Sequence, residues 1–403
     1  MPQHIAAHTL ALMVLLACQM VWTHFQHPHW PASIIHSVSL TALVFALLIS
    51  QTTTKAWQPL MQRIEHCSQL ALAGFGMGFL VLLLGRLDYS RPVLLSGVIM
   101  TLLWFYLYHL WCSQYQHITL YVLGALPKRT QTRGLLFKPY QSDLSADELA
   151  SGVVVDVNAH IDSHTQRLLA DYVLAGVPII HRGRLEEHLT RSVELSQLSD
   201  NALGMLAPNH FYARLKRLID ISVIVLTLPV SLALGLMIAA AIAIVDKGPI
   251  FYSQTRIGYR HRPFTMYKFT SMAPSDDPQP AFASSHTPRI SRLGGWLRRT
   301  HLDELPQLWN ILKGDMSLVG PRPEQPAFVQ TFSEELPFYP YRHSVKPGLT
   351  GWAQVNLGYA DTLQSTEKKL AFDLYYLKHF SWALDCEILL RTLWVVVTQK
   401  DSL

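Results

Sequence analysis

Charge is scarce in this chain. Only 15% of its 403 residues are Asp, Glu, Lys or Arg, 50% are hydrophobic, and the mean hydropathy is +0.18. Those values point to a protein that is part membrane and part soluble, with room for about two or three domains. The formal net charge of +5 suits an anionic membrane surface or phosphorylated substrates and is too small to argue for nucleic acid. Cysteine is scarce too. Cys18, Cys67, Cys112 and Cys386 show no C-x-x-C spacing, which argues against a disulfide framework or a zinc site and leaves reduced thiols. No small-residue cleavage site follows the first apolar run, so a cleaved signal peptide is not expected. No G-x-G-x-x-G follows the first β-like run, so a dinucleotide site is unsupported. The 19 histidines are scattered and form no water-activating cluster of the kind a metal hydrolase needs; His301 reads as a solvated neighbour of Asp303.

Long apolar runs, by contrast, fill the first quarter. Ile5–Trp22, Ser33–Ser50, Ser68–Gly85 and Pro92–Trp111 each approach the ~20 residues that cross ~30 Å of hydrocarbon. The first loop carries no Lys or Arg. The second carries Lys55 and Arg63, and the segment after the fourth run carries Lys128, Arg129, Arg133 and Lys138, against Arg86 and Arg91 in the opposite loop. Residues 1–115 therefore read as a four-helix transmembrane region with the N-terminus and the bulk of the chain in the cytoplasm. Trp104, Tyr106, Tyr108 and Trp111 crowd one end as an interfacial belt does.

Residues 116–200 change character. "ITLYVLGAL", "SGVVVDVN" and "GVPIIH" are short β-branched runs, and "DSHTQRLLADYVLAG" between the last two has helical spacing. This predicts a small Rossmann-like α/β domain with a parallel sheet, serving packing or regulation. Residues 201–403 form the third region. It begins with an apolar stretch, 214–247, that holds Pro229 in its middle, where a proline removes the bond to the Val225 carbonyl. Arg214, Lys216 and Arg217 hold one end on the cytoplasmic side; Asp246 and Lys247 mark the other. From the residues alone, a kinked helix that re-enters one leaflet and a plain fifth span are about equally favoured. Near the C-terminus, "SWALDCEILLRTLWVVVTQ" contains Asp385, Glu387 and Arg391, which predicts an amphipathic helix lying on the membrane.

The chemistry concentrates in "THLDELPQLWNILKGDMSLVGPRPE", residues 300–324. Leu302, Leu305, Leu308/Trp309 and Leu312 recur at helical spacing, and Pro306 fits a first turn, which predicts Asp303 near the N-cap and Glu304 in the first turn. Backbone N–H groups there favour phosphates, carboxylates and a bridging metal. An acidic pair alone more often caps a helix. Here Pro321 and Pro323 hold Arg322 rigidly beside it, and "SQTRIGYRHRPFTMYKF" and "RLGGWLRRT" add Arg256, Arg260, Arg262, Lys268, Arg298 and Arg299, a set suited to a diphosphate.

These motifs carry a family resemblance. Through "LKRLIDI", the mid-helix proline, "QTRIG", "YKF", "LDELPQLWNILKGDMSLVGPRP", "VKPGLTGWAQVN" and "FDLYYLKHFS", residues 214–399 resemble the catalytic domain of the bacterial sugar transferase family, the monotopic polyprenyl-phosphate phosphoglycosyl transferases. Four preceding spans and a small α/β domain resemble its large members. The resemblance implies a mainly α catalytic domain lying on the membrane, a re-entrant helix broken at Pro229, and residence at the cytoplasmic face of the bacterial inner membrane. It also implies hexose-1-phosphate transfer from a UDP-sugar to undecaprenyl phosphate with release of UMP, as the first membrane step in making an exopolysaccharide, O-antigen or capsule. Asp303 matches the nucleophile that carries a covalent intermediate, and Glu304 the partner carboxylate implicated with Asp303 in binding Mg²⁺. Lys268, Arg298 and Arg322 match phosphate contacts, and Arg256 falls within the matching "QTRIG". Membrane lipids are implied partners, and a homodimer is compatible with them. Two departures stand out. Leu228 precedes Pro229 where the family commonly has serine, leaving Thr227 as a candidate to satisfy the opened helix. Asn356-Leu357-Gly358-Tyr359 replaces an N-G-R whose arginine is tied to substrate binding. The rival readings are a non-catalytic membrane scaffold for polysaccharide assembly and a single-step transferase in which Asp303 only binds metal.

Overall fold

In a computed structural model, residues 8–9, 11–14, 16–17, 19, 31–51, 60–115, 118–124, 135–141, 144–145, 148–149, 151–156, 162–195, 208–272, 291–357 and 363–398 are described. Much of the first apolar run, with Cys18, lies outside them, as do Lys55, Lys128, Arg129, Arg133, Gly358 and Tyr359. The chain divides into two units, Met1–Leu189 and Thr190–Leu403.

In the first unit the second, third and fourth apolar runs form α1 (Ala32–Gln51), α2 (Leu60–Leu84) and α3 (Arg91–Tyr115), each long and apolar enough to cross a membrane. The described positions of the first run between 8 and 19 are also helical. Small residues let the helices approach closely: a Cβ on Gly78 would lie 2.0 Å from Leu40 Cδ1, and one on Gly97 would lie 2.4 Å from Thr41 Oγ1. Van der Waals packing of this kind holds membrane bundles together, because lipid tails are as apolar as the helices they surround. Leu72, Met77, Leu84 and Leu95 point outward and exposed, as lipid-facing positions do.

The same unit contains a four-stranded parallel sheet, ordered β2-β1-β3-β4, from β1 (Ile118–Leu123), β2 (Leu135–Pro139), β3 (Val153–Val155) and β4 (Ile179–His181). The expected strand-helix-strand is present, with α4 (Ser163–Leu174) between β3 and β4 and Asp162 capping it through His164 N and Thr165 N. Both sheet faces are covered, one by Leu120, Val122, Val154, Ile180 and Leu185, the other by Leu149, Val153, Val155, Tyr172 and Val177. That is why the strands read as continuous apolar runs. Edge strand β2, Leu135–Pro139, has no β-branched residue and ends in Lys138 and Pro139, so it does not stand out in the sequence. Helix α5 (Arg182–Thr190) follows β4.

In the second unit α6 (His210–Ala241) continues into a π turn, Ile242–Asp246, that ends where Lys247 turns left-handed at φ 51°. These 37 residues rise about 55 Å at 1.5 Å each, well beyond one bilayer thickness. In their first third Tyr212, Lys216 and Asp220 are buried and pack inward. Tyr212 OH (2.6 Å) and Lys216 Nζ donate to Asp385 Oδ2, Ser317 Oγ donates to Asp220 (2.7 Å), and Arg217 donates to the Ile311 and Leu312 carbonyls. Lys216 and Arg217 thus hold this end through the lobe itself. Pro229 lies inside a helix that runs on through it. Thr227 does not satisfy the Val225 carbonyl: its hydroxyl donates to Val223 O (2.9 Å) and Ile224 O (3.3 Å). A helical threonine reaches the carbonyls three and four residues back, and Val225 is only two back.

Both ends of the apolar stretch touch one set of elements. Ile224 packs with Met266, Ile311 and Met316; Ile238 and Ile242 pack with Phe269 and Leu297; Asp246 accepts from Ser291 Oγ at 3.0 Å. Strand β6 (Pro263–Phe269), antiparallel to β5 (Phe251–Ile257), contributes Met266 to the first contact and Phe269 to the second. Between them Leu226, Val230, Leu236 and Met237 are exposed.

The remaining elements are α7 (Arg292–Arg299), a 3-10 turn (Leu302–Glu304), α8 (Gln307–Lys313), β7 (Ser317–Val319), α9 (Pro326–Glu335), a 3-10 turn (Tyr339–Ser344), β8 (Gly348–Thr350), α10 (Trp352–Asn356), α11 (Leu363–Lys378) and α12 (Trp382–Thr398). Their core gathers Tyr339, Trp352, Leu374, Tyr376 and Ile388. Helix α12 is amphipathic as expected, but with its charges inward. Asp385 and Glu387 are buried against Lys216, Tyr212, Tyr376 and Arg191, while Leu390, Leu393 and Trp394 face outward.

Candidate active site

His301, left-handed at φ 57°, reverses the chain out of α7 and starts the turn that carries the acidic pair. Leu302 and Leu305 pack beneath α6, whose Gly235 would place a Cβ 3.6 Å from Leu305 Cδ2. Asp303 and Glu304 are only 8% and 7% exposed. They sit in their own 3-10 turn, upstream of α8, which begins at Gln307 with Pro306 as its cap residue. The N–H groups of Glu304 and Leu305 are spent on the His301 and Leu302 carbonyls, so the expected helix-start amides do not supply the positive field there. Side-chain cations do. The apolar stripe is shifted as well: Ile311 is fully buried, while Trp309 is 61% exposed.

Lys268 Nζ (2.6 Å) and Arg322 Nη2 (2.9 Å) both meet Glu304 Oε1. Burial by itself would raise the Glu304 carboxyl, but Arg322 and Lys268 outweigh it and hold the group far below the ordinary carboxylate range. Asp303 differs. Burial raises its carboxyl above the usual value, with Glu304 adding to the rise and Lys268, His301 and Arg322 opposing it. Two adjacent carboxylates are thus driven apart: one locked as an anion between two cations, the other more basic and without a hydrogen-bond partner among the described residues. That division suits a basic, nucleophilic oxygen beside a fixed charge cluster.

The cations are held by their own neighbours. Asn310, fully buried in α8, accepts from Tyr267 N (3.1 Å) and donates to Thr265 O (2.7 Å), pinning the β6 edge that presents Lys268. In the sequence Asn310 shows only as an amide inside an apolar stripe, a signal too weak to mark it as part of the site. Every carbonyl of Pro321–Glu324 is engaged: Pro321 O by Gly348 N (3.0 Å), Arg322 O by Arg342 (2.9 Å), Pro323 O by Arg256 (3.2 Å) and Glu324 O by Ile257 N (2.9 Å). Gly320 is required because a Cβ there would lie 2.3 Å from the Lys346 carbonyl.

Four of the expected residues therefore come together: Asp303, Glu304, Lys268 and Arg322. Arg256 is committed to Pro323 O, Gln254 and Glu324, and Arg298, in the last turn of α7, donates to Met272 Sδ at 3.4 Å. Pro229 lies in α6. Asn356 donates to Trp352 O (2.8 Å) and accepts from Arg391 (2.7 Å). Among the described residues no group of three or more acidic, His or Cys side chains could cage a metal. Mg²⁺ needs no such cage, since one or two carboxylates plus substrate phosphates hold it. The Asp303 carboxylate and Glu304 Oε2, which lies outside the ion pair, fit that donor set.

Residues 211–399 match the model of a family described as bacterial sugar transferase. The chain is 39% identical over 330 residues to the UDP-N-acetylgalactosamine-undecaprenyl-phosphate N-acetylgalactosaminephosphotransferase of Aeromonas hydrophila, covering 78% of this chain and 75% of that protein. It is 40% identical over 191 residues to the UDP-glucose:undecaprenyl-phosphate glucose-1-phosphate transferase of Escherichia coli K12, covering 47% and 41%. A putative undecaprenyl-phosphate N-acetylgalactosaminyl 1-phosphate transferase of Bacillus subtilis is 40% identical over 158 residues, covering 39% of this chain and 88% of that protein.

Proposed function

The chain belongs to the bacterial sugar transferase family and is a transferase of phosphate groups, and from that premise we propose that it moves a sugar-1-phosphate from a UDP-sugar to undecaprenyl phosphate through a covalent aspartyl intermediate. The observation that carries this reading is the Lys268–Glu304–Arg322 cluster beside the buried, more basic Asp303. Asp303 attacks the β-phosphorus of the donor. The phosphoanhydride bond breaks, UMP leaves with its electron pair, and an acyl phosphate carrying the sugar remains. An oxygen of undecaprenyl phosphate then attacks the same phosphorus, the acyl phosphate bond breaks, and Asp303 returns as a carboxylate. Lys268 and Arg322, held by Glu304, offset the repulsion between the carboxylate and the anionic diphosphate. Asp303 and Glu304 Oε2 would hold a magnesium ion, which supplies further neutralisation of the phosphate oxygens.

The Aeromonas hydrophila relative, matched over 78% of this chain, is named for UDP-N-acetylgalactosamine, which makes that nucleotide the first donor to test and UDP-glucose the second. The second unit is read as lying on the cytoplasmic face of the inner membrane, with α6 entering and leaving the same leaflet. What supports this is that both ends of its apolar stretch pack against one lobe. The four-stranded parallel sheet supports a Rossmann-like domain. If α6 re-enters, single cysteines placed at His210 and Lys247 react alike with an impermeant thiol reagent in inside-out vesicles and stay silent in intact spheroplasts. Opposite labelling of the two positions would sink that topology.

The decisive experiment follows UMP from the full chain in nanodiscs with magnesium and each donor, with and without undecaprenyl phosphate. A single UMP equivalent and a sugar-phosphate mass adduct without lipid, both lost in Asp303→Asn, are expected. UMP only when both substrates are present, with no adduct, would favour direct transfer. No UMP from any donor would favour a scaffold.

A further inference from the structure

Pro321 and Pro323 fix φ on either side of Arg322, and the residue before a proline is confined to extended backbone. What remains free is the tilt of the Arg322–Pro323 peptide plane. That peptide has no N–H, because Pro323 supplies its nitrogen, so its one hydrogen-bonding group is the Arg322 carbonyl. Arg342, in the 3-10 turn Tyr339–Ser344, takes that carbonyl: Nη2 donates to Arg322 O (2.9 Å) and to Asp373 Oδ2 (2.8 Å), and Nη1 donates to Tyr339 OH (2.8 Å). The Arg342 and Asp373 side chains are each 2% exposed, so neither can touch a substrate.

A buried ion pair is a poor device for stability alone. A planar guanidinium that holds three acceptors at once is a good device for direction, and a lysine cannot reproduce it. We infer that Arg342, oriented by Asp373 and Tyr339, is a positioning residue that aims the Arg322 guanidinium at Glu304 and the donor phosphates. The same loop is fastened one residue later by Arg256 on Pro323 O (3.2 Å), a separate carbonyl from the one that Arg342 holds. This inference rests on the phosphoryl-transfer reading above.

The test is a double-mutant cycle on the full chain in nanodiscs, reading kcat and donor KM from UMP release with UDP-N-acetylgalactosamine or UDP-glucose, whichever the wild type uses. Arg342→Lys is expected to lower kcat about tenfold with donor KM changed less than about threefold, since only transition-state aim is lost. Added to Arg322→Lys, it is expected to lower kcat by no more than about twofold further, because the two act through one group. Fully multiplicative losses, or a wild-type kcat in Arg342→Lys, would overturn the inference. If Arg342→Lys fails to fold, Tyr339→Phe removes one acceptor only. It is expected to cost about two- to threefold, and only where Arg322 is intact; a loss that persists beside Arg322→Lys would overturn the inference equally. A wild-type rate in Arg322→Lys alone would count against the phosphoryl-transfer reading itself.

Discussion

Replacing Asn310 with alanine tests how the site is held together. Asn310 is fully buried, and its side chain bonds Tyr267 N and Thr265 O, two groups on the outer edge of β6 next to Lys268. Alanine leaves both strand groups unpaired. A fully buried unpaired group costs about 1–3 kcal/mol, which bounds the pair at about 6 kcal/mol; both bonds are part-buried and Thr265 is exposed, so a value of about 3 kcal/mol is expected. For a unit of this size 1 kcal/mol moves Tm by about 2–4 °C, which gives a fall of about 6–12 °C. The assay is thermal unfolding of the full chain in nanodiscs at a fixed scan rate, with Trp309→Ala as the exposed control expected to move Tm by less than about 2 °C. At a temperature where Asn310→Ala is still folded, UMP release should also slow, because the strand that presents Lys268 to Glu304 has lost its clamp. A Tm within about 2 °C of wild type would refute the reasoning, because the amide would then carry no strand edge.

Three further outcomes are expected. Burial raises Asp303 and a nucleophile must be ionised, so UMP release in the lipid-free first half-reaction should fall with acid at an inflexion above the ordinary aspartate value of about 3.9; an inflexion at or below it would contradict the environment described. Glu304→Gln removes the anion that both Lys268 and Arg322 bind while leaving both cations for the diphosphate, so kcat should fall about 100-fold while donor KM stays level or drops; a raised KM with unchanged kcat would show that Glu304 serves binding alone. Gly320→Ala drives a Cβ to 2.3 Å from the Lys346 carbonyl, so a loss of about 2 kcal/mol or more is expected in denaturant unfolding, together with slower UMP release; an unperturbed variant would mean that the loop carrying Arg322 has slack.

By itself the sequence determined what depends on neighbours along the chain. Apolar runs of membrane length, β-branched runs around a helical segment, and an acidic pair ahead of a G-P-R-P turn all announce themselves within a few dozen residues. The helices α1 to α3, the strand-helix-strand around α4 and the meeting of Asp303, Glu304, Lys268 and Arg322 follow from them. Tertiary structure alone decided where each charge finds its partner. Asp385 and Glu387 turn inward on α12 because Lys216 lies 169 residues away and Arg191 lies 196 away, distances over which no periodicity speaks. Asn310 and Arg342 look like an interrupted stripe and a surface arginine until Thr265 O and Arg322 O appear beside them. Hydrophobic patterning is local because a helix or strand repeats every few residues. Pairing a buried polar group is not, since desolvation demands a partner wherever the fold brings one.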